Sequence, residues 1–317
     1  MLNWSFNRSA DTADPGGPSM NHVALPTPPE ITGRPQIALA LGGGAARGWA
    51  HIGVLRALDE EGIEVSMIAG TSIGALVGGC YLAGKLDELE SFARSLTMRR
   101  IASLLDFTIR GSGLFGGMRL TRRMQEHLEH LSIEDLDRTF VAVATEVNSG
   151  HEVWIAAGSL ITALRASYAL PGIFEPIKCN GRTLVDGALV NPVPVSVCRA
   201  YEEPLVVAVN LNYDLYGRSA VIKHTASIQD VDRGRQENGA ARLGLTGVMV
   251  QSFNIIQDRI ARARLAGDPP DLAVHPRLSD IGLSEFHRAG EAIERGYAEA
   301  KARILEIRRM QEAVIAR

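Results

Sequence analysis

Residues 65–84 read V-S-M-I-A-G-T-S-I-G-A-L-V-G-G-C-Y-L-A-G. The first five are short and mostly apolar, as a buried strand requires. From Ile73 onward the side chains are small and apolar, as a closely packed helix requires. Between them stands Gly70-Thr71-Ser72-Ile73-Gly74, a G-x-S-x-G pattern. A strand that turns sharply into a helix through this pattern is a nucleophile elbow. Gly70 and Gly74 permit backbone angles and a strand–helix approach that a Cβ would obstruct. Ser72 then stands at a strand tip, over the positive end of the following helix. That placement names a chemistry, acyl transfer to a serine hydroxyl. The same twenty residues carry no charge, and Gly70, Gly74 and Gly78 fall at G-x-x-x-G spacing, so a membrane helix is the rival reading. Five glycines and few bulky aliphatics favour the strand, elbow and helix.

A second strand–helix junction lies upstream. Residues 36–41 are an apolar run followed by Gly42-Gly43-Gly44-Ala45-Ala46-Arg47-Gly48, and a helical pattern begins with Ile52, Leu55 and Leu58. A glycine run at a helix start leaves backbone N–H groups free to face an anion. In an ester hydrolase that anion is the oxyanion of the tetrahedral intermediate, where one such donor contributes about 3–4 kcal/mol. A nucleotide phosphate is the competing ligand. The run lacks the Lys-Ser/Thr of a P-loop, and counting G-x-G-x-x-G from Gly42 puts Arg47 at the third glycine.

A serine nucleophile needs a base. Residues 174–186 read as a hairpin turning at Asn180-Gly181, which leaves Asp186 at a strand end with Gly187 beside it. An aspartate with its ordinary pKa near 3.9 is a poor base at neutral pH. Leu184, Val185, Leu189 and Val190 could supply the dry setting that corrects this. A structural Asp-Gly turn accounts for the same residues.

Taken in order, the glycine loop with its arginine, G-x-S-x-G and Asp-Gly-Ala resemble the patatin-like phospholipases. Residues 166–176, ASYALPGIFEP, are similar to the family's A-S-x-x-x-P-x-x-F-x-P stretch, and residues 186–194, DGALVNPVP, match family form closely. The resemblance runs from about residue 35 to 211. It implies a three-layer α/β/α fold and a Ser–Asp dyad with no catalytic histidine. Ser72 would be the nucleophile and Asp186 the base. The N–H groups of Gly42, Gly43 and Gly44 would form the oxyanion hole, helped by that of Ile73. Arg47 would steady the loop or meet a lipid phosphate. The implied activity is hydrolysis of fatty-acyl esters of phospholipids or lysophospholipids at a membrane surface, without calcium or an organic cofactor.

The remaining chain agrees with this reading. Strands at 139–147, 152–156, 205–211 and 271–276 alternate with helical stretches such as 160–168, so the expected class is α/β with a mostly parallel sheet covered on both faces. Residues 1–34, rich in Pro, Gly, Asp and Asn, read as a disordered tail, and 35–317 as one catalytic domain. An amphipathic helix over 284–316 closes the chain, and its end beyond Ile304 is a candidate homodimer or membrane contact. Residues 101–120 read either as a glycine-hinged apolar lid or as an ordinary connection, and 212–242 as a long polar loop. A net charge of −3 excludes a nucleic-acid footprint. Cys80, Cys179 and Cys198 form no metal-ligand spacing and read as reduced thiols of a cytoplasmic protein, peripheral at most on the inner membrane face. Two other functions stay open: a Ser-His-Asp carboxylesterase using His224, His275 or His287, and a non-catalytic lipid-binding module.

Overall fold

The computed structural model describes residues 35–99, 128–216 and 245–315. The chain enters through β1 (Ile37–Leu41), a 3₁₀ turn (Ala45–Trp49) and α1 (Ala50–Glu60). It continues through β2 (Val65–Thr71), α2 (Ile73–Leu82) and α3 (Leu86–Arg94). After the first gap come β3 (Thr139–Glu146), β4 (Glu152–Ile155), α4 (Leu160–Tyr168), β5 (Ile177–Cys179) and β6 (Arg182–Asp186). A 3₁₀ turn (Gly187–Leu189), α5 (Val195–Ala200) and β7 (Val206–Val209) follow. The last segment holds α6 (Leu245–Gly267), β8 (Leu272–Val274) and α7 (Ala289–Ile315).

The eight strands of the described residues share one sheet, ordered β5-β6-β3-β2-β1-β7-β8, with β4 paired to β3. The centre, from β3 through β8, is parallel, while β4, β5 and β6 pair antiparallel at one end. β1 explains the layering. Its residues alternate between faces, and Ile37, Leu39 and Leu41 join a core with α1, α2, α3, α4 and α7. Ala38 and Ala40, with Ala69 of β2 and Ala208 of β7, face α5 and α6. Large side chains fill the thick layer, and alanines let the second layer approach closely. The result is the expected three-layer α/β/α arrangement.

Several local readings hold closely. Helix α4 spans the residues its pattern marked, and Asn180 and Gly181 both take positive φ, 48° and 75°, as a two-residue hairpin turn demands. Strands β5, β7 and β8 are shorter than their apolar runs, because ladder pairing ends before the hydrophobic sequence does. Helices α3 and α6 went unread, and the 101–120 stretch lies outside the described residues. Of the 212–242 loop only its first five residues are described. The closing helix begins with a 3₁₀ turn (Phe286–Arg288) before α7. Its apolar stripe packs inside the chain, with Ile293, Ala300, Ile304 and Ile307 joining the core against α1, while Leu305 and Ile315 stay exposed. The two backbones nearly touch. A Cβ on Gly53 would stand 1.9 Å from the Ile293 carbonyl oxygen, and one on Gly296 2.0 Å from that of Ala50.

Candidate active site

Strand register brings the quoted segments together. Thr71 of β2 pairs with Val143 of β3, and the next β3 residue, Ala144, pairs with Asp186 of β6. Ser72 therefore stands level with Asp186, two strands away in a sheet where neighbours are ~4.8 Å apart. On the other side Leu41 pairs with Gly70, so the glycine loop leaves β1 beside the elbow. A Cβ on Gly43 would lie 3.4 Å from the Ser72 Cβ.

The elbow is sterically forced. Ser72 adopts φ 57° and ψ −123°, a conformation costly for a residue with a Cβ. A Cβ on Gly74 would meet the Leu41 carbonyl oxygen at 2.2 Å, and one on Gly70 the Ala75 Cα at 2.5 Å. Three hydrogen bonds hold the strained turn. The Ser72 N–H donates to the Ser167 Oγ at 2.9 Å, and the Ser167 hydroxyl donates to the Val143 carbonyl at 2.6 Å. The Thr71 hydroxyl donates to the Asn191 carbonyl at 2.8 Å.

The Ser72 hydroxyl donates to Oδ2 of Asp186 at 2.6 Å. The other carboxylate oxygen accepts the Ala188 N–H at 2.8 Å, and the Asp186 carbonyl accepts the Thr145 hydroxyl at 2.9 Å. Asp186 is 2% exposed. Burial pushes its carboxyl up to about 7, against the opposing pull of the Ser72 and Ala188 donors. Such a carboxylate is close in basicity to an ordinary imidazole. A carboxyl of that basicity is suited to proton transfer near neutrality.

The glycine loop departs from expectation. The Gly42 N–H donates to the Val209 carbonyl at 3.1 Å and the Gly43 N–H to the Pro192 carbonyl at 2.9 Å. Neither is free to face an oxyanion in this arrangement, because both are spent where the loop crosses β7 and the segment after β6. Among the described residues the Gly44 N–H has no acceptor. Nor does the Ile73 N–H have an intrahelical one, at the first position of α2. Arg47 is buried. Its Nε donates to the Ile281 carbonyl at 2.7 Å and its Nη1 to Oδ1 of Asn212 at 3.2 Å. A guanidinium held this way ties the 3₁₀ turn after the glycine loop to Ile281 and Asn212.

Of the candidate histidines, His287 is exposed in the Phe286–Arg288 turn before α7, and others are held elsewhere. His51 is fully buried, with Nε2 2.7 Å from the Gly42 carbonyl, and burial lowers its pKa to about 4. The bond requires a proton on Nε2, and burial disfavours a second proton on the ring. His275 stacks on Tyr213 with ring centroids 4.0 Å apart. His224 lies outside the described residues. Among those residues no cluster of His, Cys, Asp or Glu could hold a metal ion. Cys80 and Cys198 are buried thiols pushed up to about 12, while Cys179 is half-buried. Ser167, Thr145 and Asn212 are the residues that motif reading missed. Ser167 was in view inside ASYALPGIFEP, but its partner, the elbow, is distant in sequence.

A family model for patatin-like phospholipases matches residues 39–199. An uncharacterized NTE family protein of Mycobacterium tuberculosis (strain ATCC 25618 / H37Rv) is 33% identical over 323 residues, covering 83% of this chain and 90% of that protein. The Homo sapiens patatin-like phospholipase domain-containing protein 6 is 33% identical over 182 residues, 55% of this chain and 13% of that protein. The solved structure of VipD from Legionella pneumophila aligns with a TM-score of 0.48 at 12% identity, covering 89% of this chain and 67% of that one. The family match takes in the glycine loop, the elbow and Asp186 together, and the mycobacterial relative extends the likeness over most of the chain: this protein belongs to the patatin-like phospholipase family.

Proposed function

We propose that this chain is a serine hydrolase that cleaves fatty-acyl esters of phospholipids or lysophospholipids through a Ser72–Asp186 dyad. Family membership supports lipid acyl hydrolysis in general. The observation that carries the finer reading is the 2.6 Å bond between the strained serine hydroxyl and a buried carboxylate. In the first half-reaction Asp186 takes the Ser72 proton while Oγ bonds to the ester carbonyl carbon. The carbonyl π pair moves onto its oxygen, which the Gly44 and Ile73 N–H groups stabilise. The tetrahedral intermediate collapses, and the alcohol leaves with the proton that Asp186 returns. Water then attacks the acyl-enzyme by the same route, giving the fatty acid and free Ser72.

A lipid substrate is supported by the surface beside the site. Helix α6 packs against the Gly187–Leu189 turn that follows Asp186. It exposes Val248, Met249, Ile255 and Ile256 at helical spacing. We read residues 35–317 as one catalytic domain working at a lipid surface. No described helix is long and apolar enough to cross a membrane.

The test is labelling by a fluorophosphonate probe together with fatty-acid release from lysophospholipid. Wild type is expected to label and turn over, and Ser72→Ala to do neither. Asp186→Asn should lower kcat by at least about a thousandfold, in line with the loss of a catalytic base in other serine hydrolases. Turnover retained in Asp186→Asn, but lost on replacing a histidine by Gln, would instead establish the Ser-His-Asp reading.

A further inference from the structure

The loop's hydrogen bonds assign roles to two successive peptide planes. A trans peptide is rigid, and its C=O and N–H point in opposite directions. The Gly42–Gly43 plane is held at both ends, its carbonyl by His51 Nε2 at 2.7 Å and its N–H by the Pro192 carbonyl at 2.9 Å. The Gly43–Gly44 plane is held at one end. Its carbonyl accepts from Nδ2 of Asn212 at 3.2 Å, and its N–H, that of Gly44, has no acceptor among the described residues.

Asn212 is well placed to set that plane. It is 3% exposed, just beyond the end of β7, and its own N–H donates to Oδ1 of Asn210 at 3.0 Å. Arg47 settles which way its amide faces. A guanidinium only donates, so the atom 3.2 Å from Arg47 Nη1 must be the amide oxygen. The NH₂ is thereby turned to the Gly43 carbonyl, with Gln257 Oε1 as a longer second acceptor at 3.4 Å. Without that donor the Gly43–Gly44 plane could rotate and carry the free N–H away from the reacting carbonyl.

We propose that Asn212, oriented by Arg47, is a positioning residue for the oxyanion donor: it holds the Gly43 carbonyl so that the Gly44 N–H faces the oxygen of the tetrahedral intermediate. This rests on the hydrolase reading above. Asn212 touches neither substrate nor nucleophile and acts through one peptide plane. Its contribution belongs to the step in which Ser72 Oγ bonds to carbon and the carbonyl electron pair becomes the oxyanion.

Asn212→Asp nearly preserves shape and keeps an acceptor for Arg47, but sets a carboxylate oxygen against the Gly43 carbonyl. Wild type and variant are compared on a soluble aryl ester and the matching thionoester, whose sulfur is a poor hydrogen-bond acceptor. With the ester, kcat is expected to fall about ten- to a hundredfold with KM within about twofold, somewhat less than the loss of a whole donor. The thionoester rate should fall far less, so that the ester-to-thionoester ratio contracts about tenfold. Asn212→Ala, which removes the donor without adding charge, should contract the same ratio. Equal losses on both substrates, or no loss, overturn the assignment. So does failure of both variants to fold, which would make Asn212 a structural residue only. A wild-type chain that hydrolyses neither substrate and does not label at Ser72 overturns the hydrolase reading itself, which separates the two failures.

Discussion

In the proposed dyad Asp186 ties catalysis and stability to the same proton. As the proposed base it must be ionised, so kcat/KM is expected to rise with pH through about 7 and level off above, the limb being set by burial of its carboxyl. A profile flat from pH 5 to 9 would remove it from the mechanism. Between its ordinary value near 4 and about 7 the native carboxyl keeps a proton that the unfolded chain has released. Its contribution to stability therefore falls as pH rises through that window. His51, lowered to about 4 by burial, has the opposite sign: between about 4 and 6.5 the unfolded chain binds the extra proton, and stability falls as pH drops. The two slopes oppose each other in wild type. Asp186→Asn removes one of them. Urea unfolding at several pH values should show the variant gaining stability from pH 4 to 6.5 and exceeding wild type by up to about 4 kcal/mol at pH 8. A variant no more stable than wild type at pH 8 would show that the carboxyl carries no burial cost.

At the scale of elements, glycines mark where two backbones meet. Helices α1 and α7 cross at Gly53 and Gly296, where each missing Cβ faces a carbonyl oxygen of the other helix. Gly53→Ala and Gly296→Ala should each destabilise by about 3 kcal/mol or more, because the obstacle is backbone and cannot rotate aside. A midpoint shift in urea unfolding of less than about 1 kcal/mol would mean the helices can slide apart. Gly74→Ala tests the elbow in the same way. Its Cβ would press on the Leu41 carbonyl at the entrance to the glycine loop, so kcat should fall along with stability. Ser167→Ala would leave the Ser72 N–H without its partner in a strained turn, a loss of about 1–3 kcal/mol concentrated where catalysis needs rigidity.

Across the whole molecule, chemistry collects at the carboxyl ends of the central parallel strands, where such sheets form their sites. The exposed apolar side chains of α6 lie on the helix that packs against the turn after Asp186. Ile255→Asp with Ile256→Asp should therefore weaken hydrolysis of vesicle lipid by about tenfold or more, through loss of buried apolar area and added charge. Turnover of a soluble ester should change little. Equal effects on both substrates would assign α6 to the fold alone. Prolonged dialysis against EDTA should leave ester turnover unchanged, since the proposed steps use only the hydroxyl, the carboxylate and backbone N–H groups.

The residue types and spacing around Ser72, the Asn180-Gly181 turn and the apolar run of β1 were legible because each answers a local demand: a sharp turn, a positive φ, a strand buried on both faces. Those demands act within a few residues and leave a signature in sequence. That Ser72 and Asp186, 114 residues apart, stand at one level was decided by the register of β2, β3 and β6, which depends on pairing between segments distant in sequence. The same is true of the glycine loop. Three glycines offer three N–H groups, but the carbonyls of Val209 in β7 and of Pro192 in the segment after β6 take the first two, and Asn212 orients the third. Local sterics are written in neighbouring residues, whereas hydrogen-bond satisfaction in a buried site is settled only when the whole sheet has assembled.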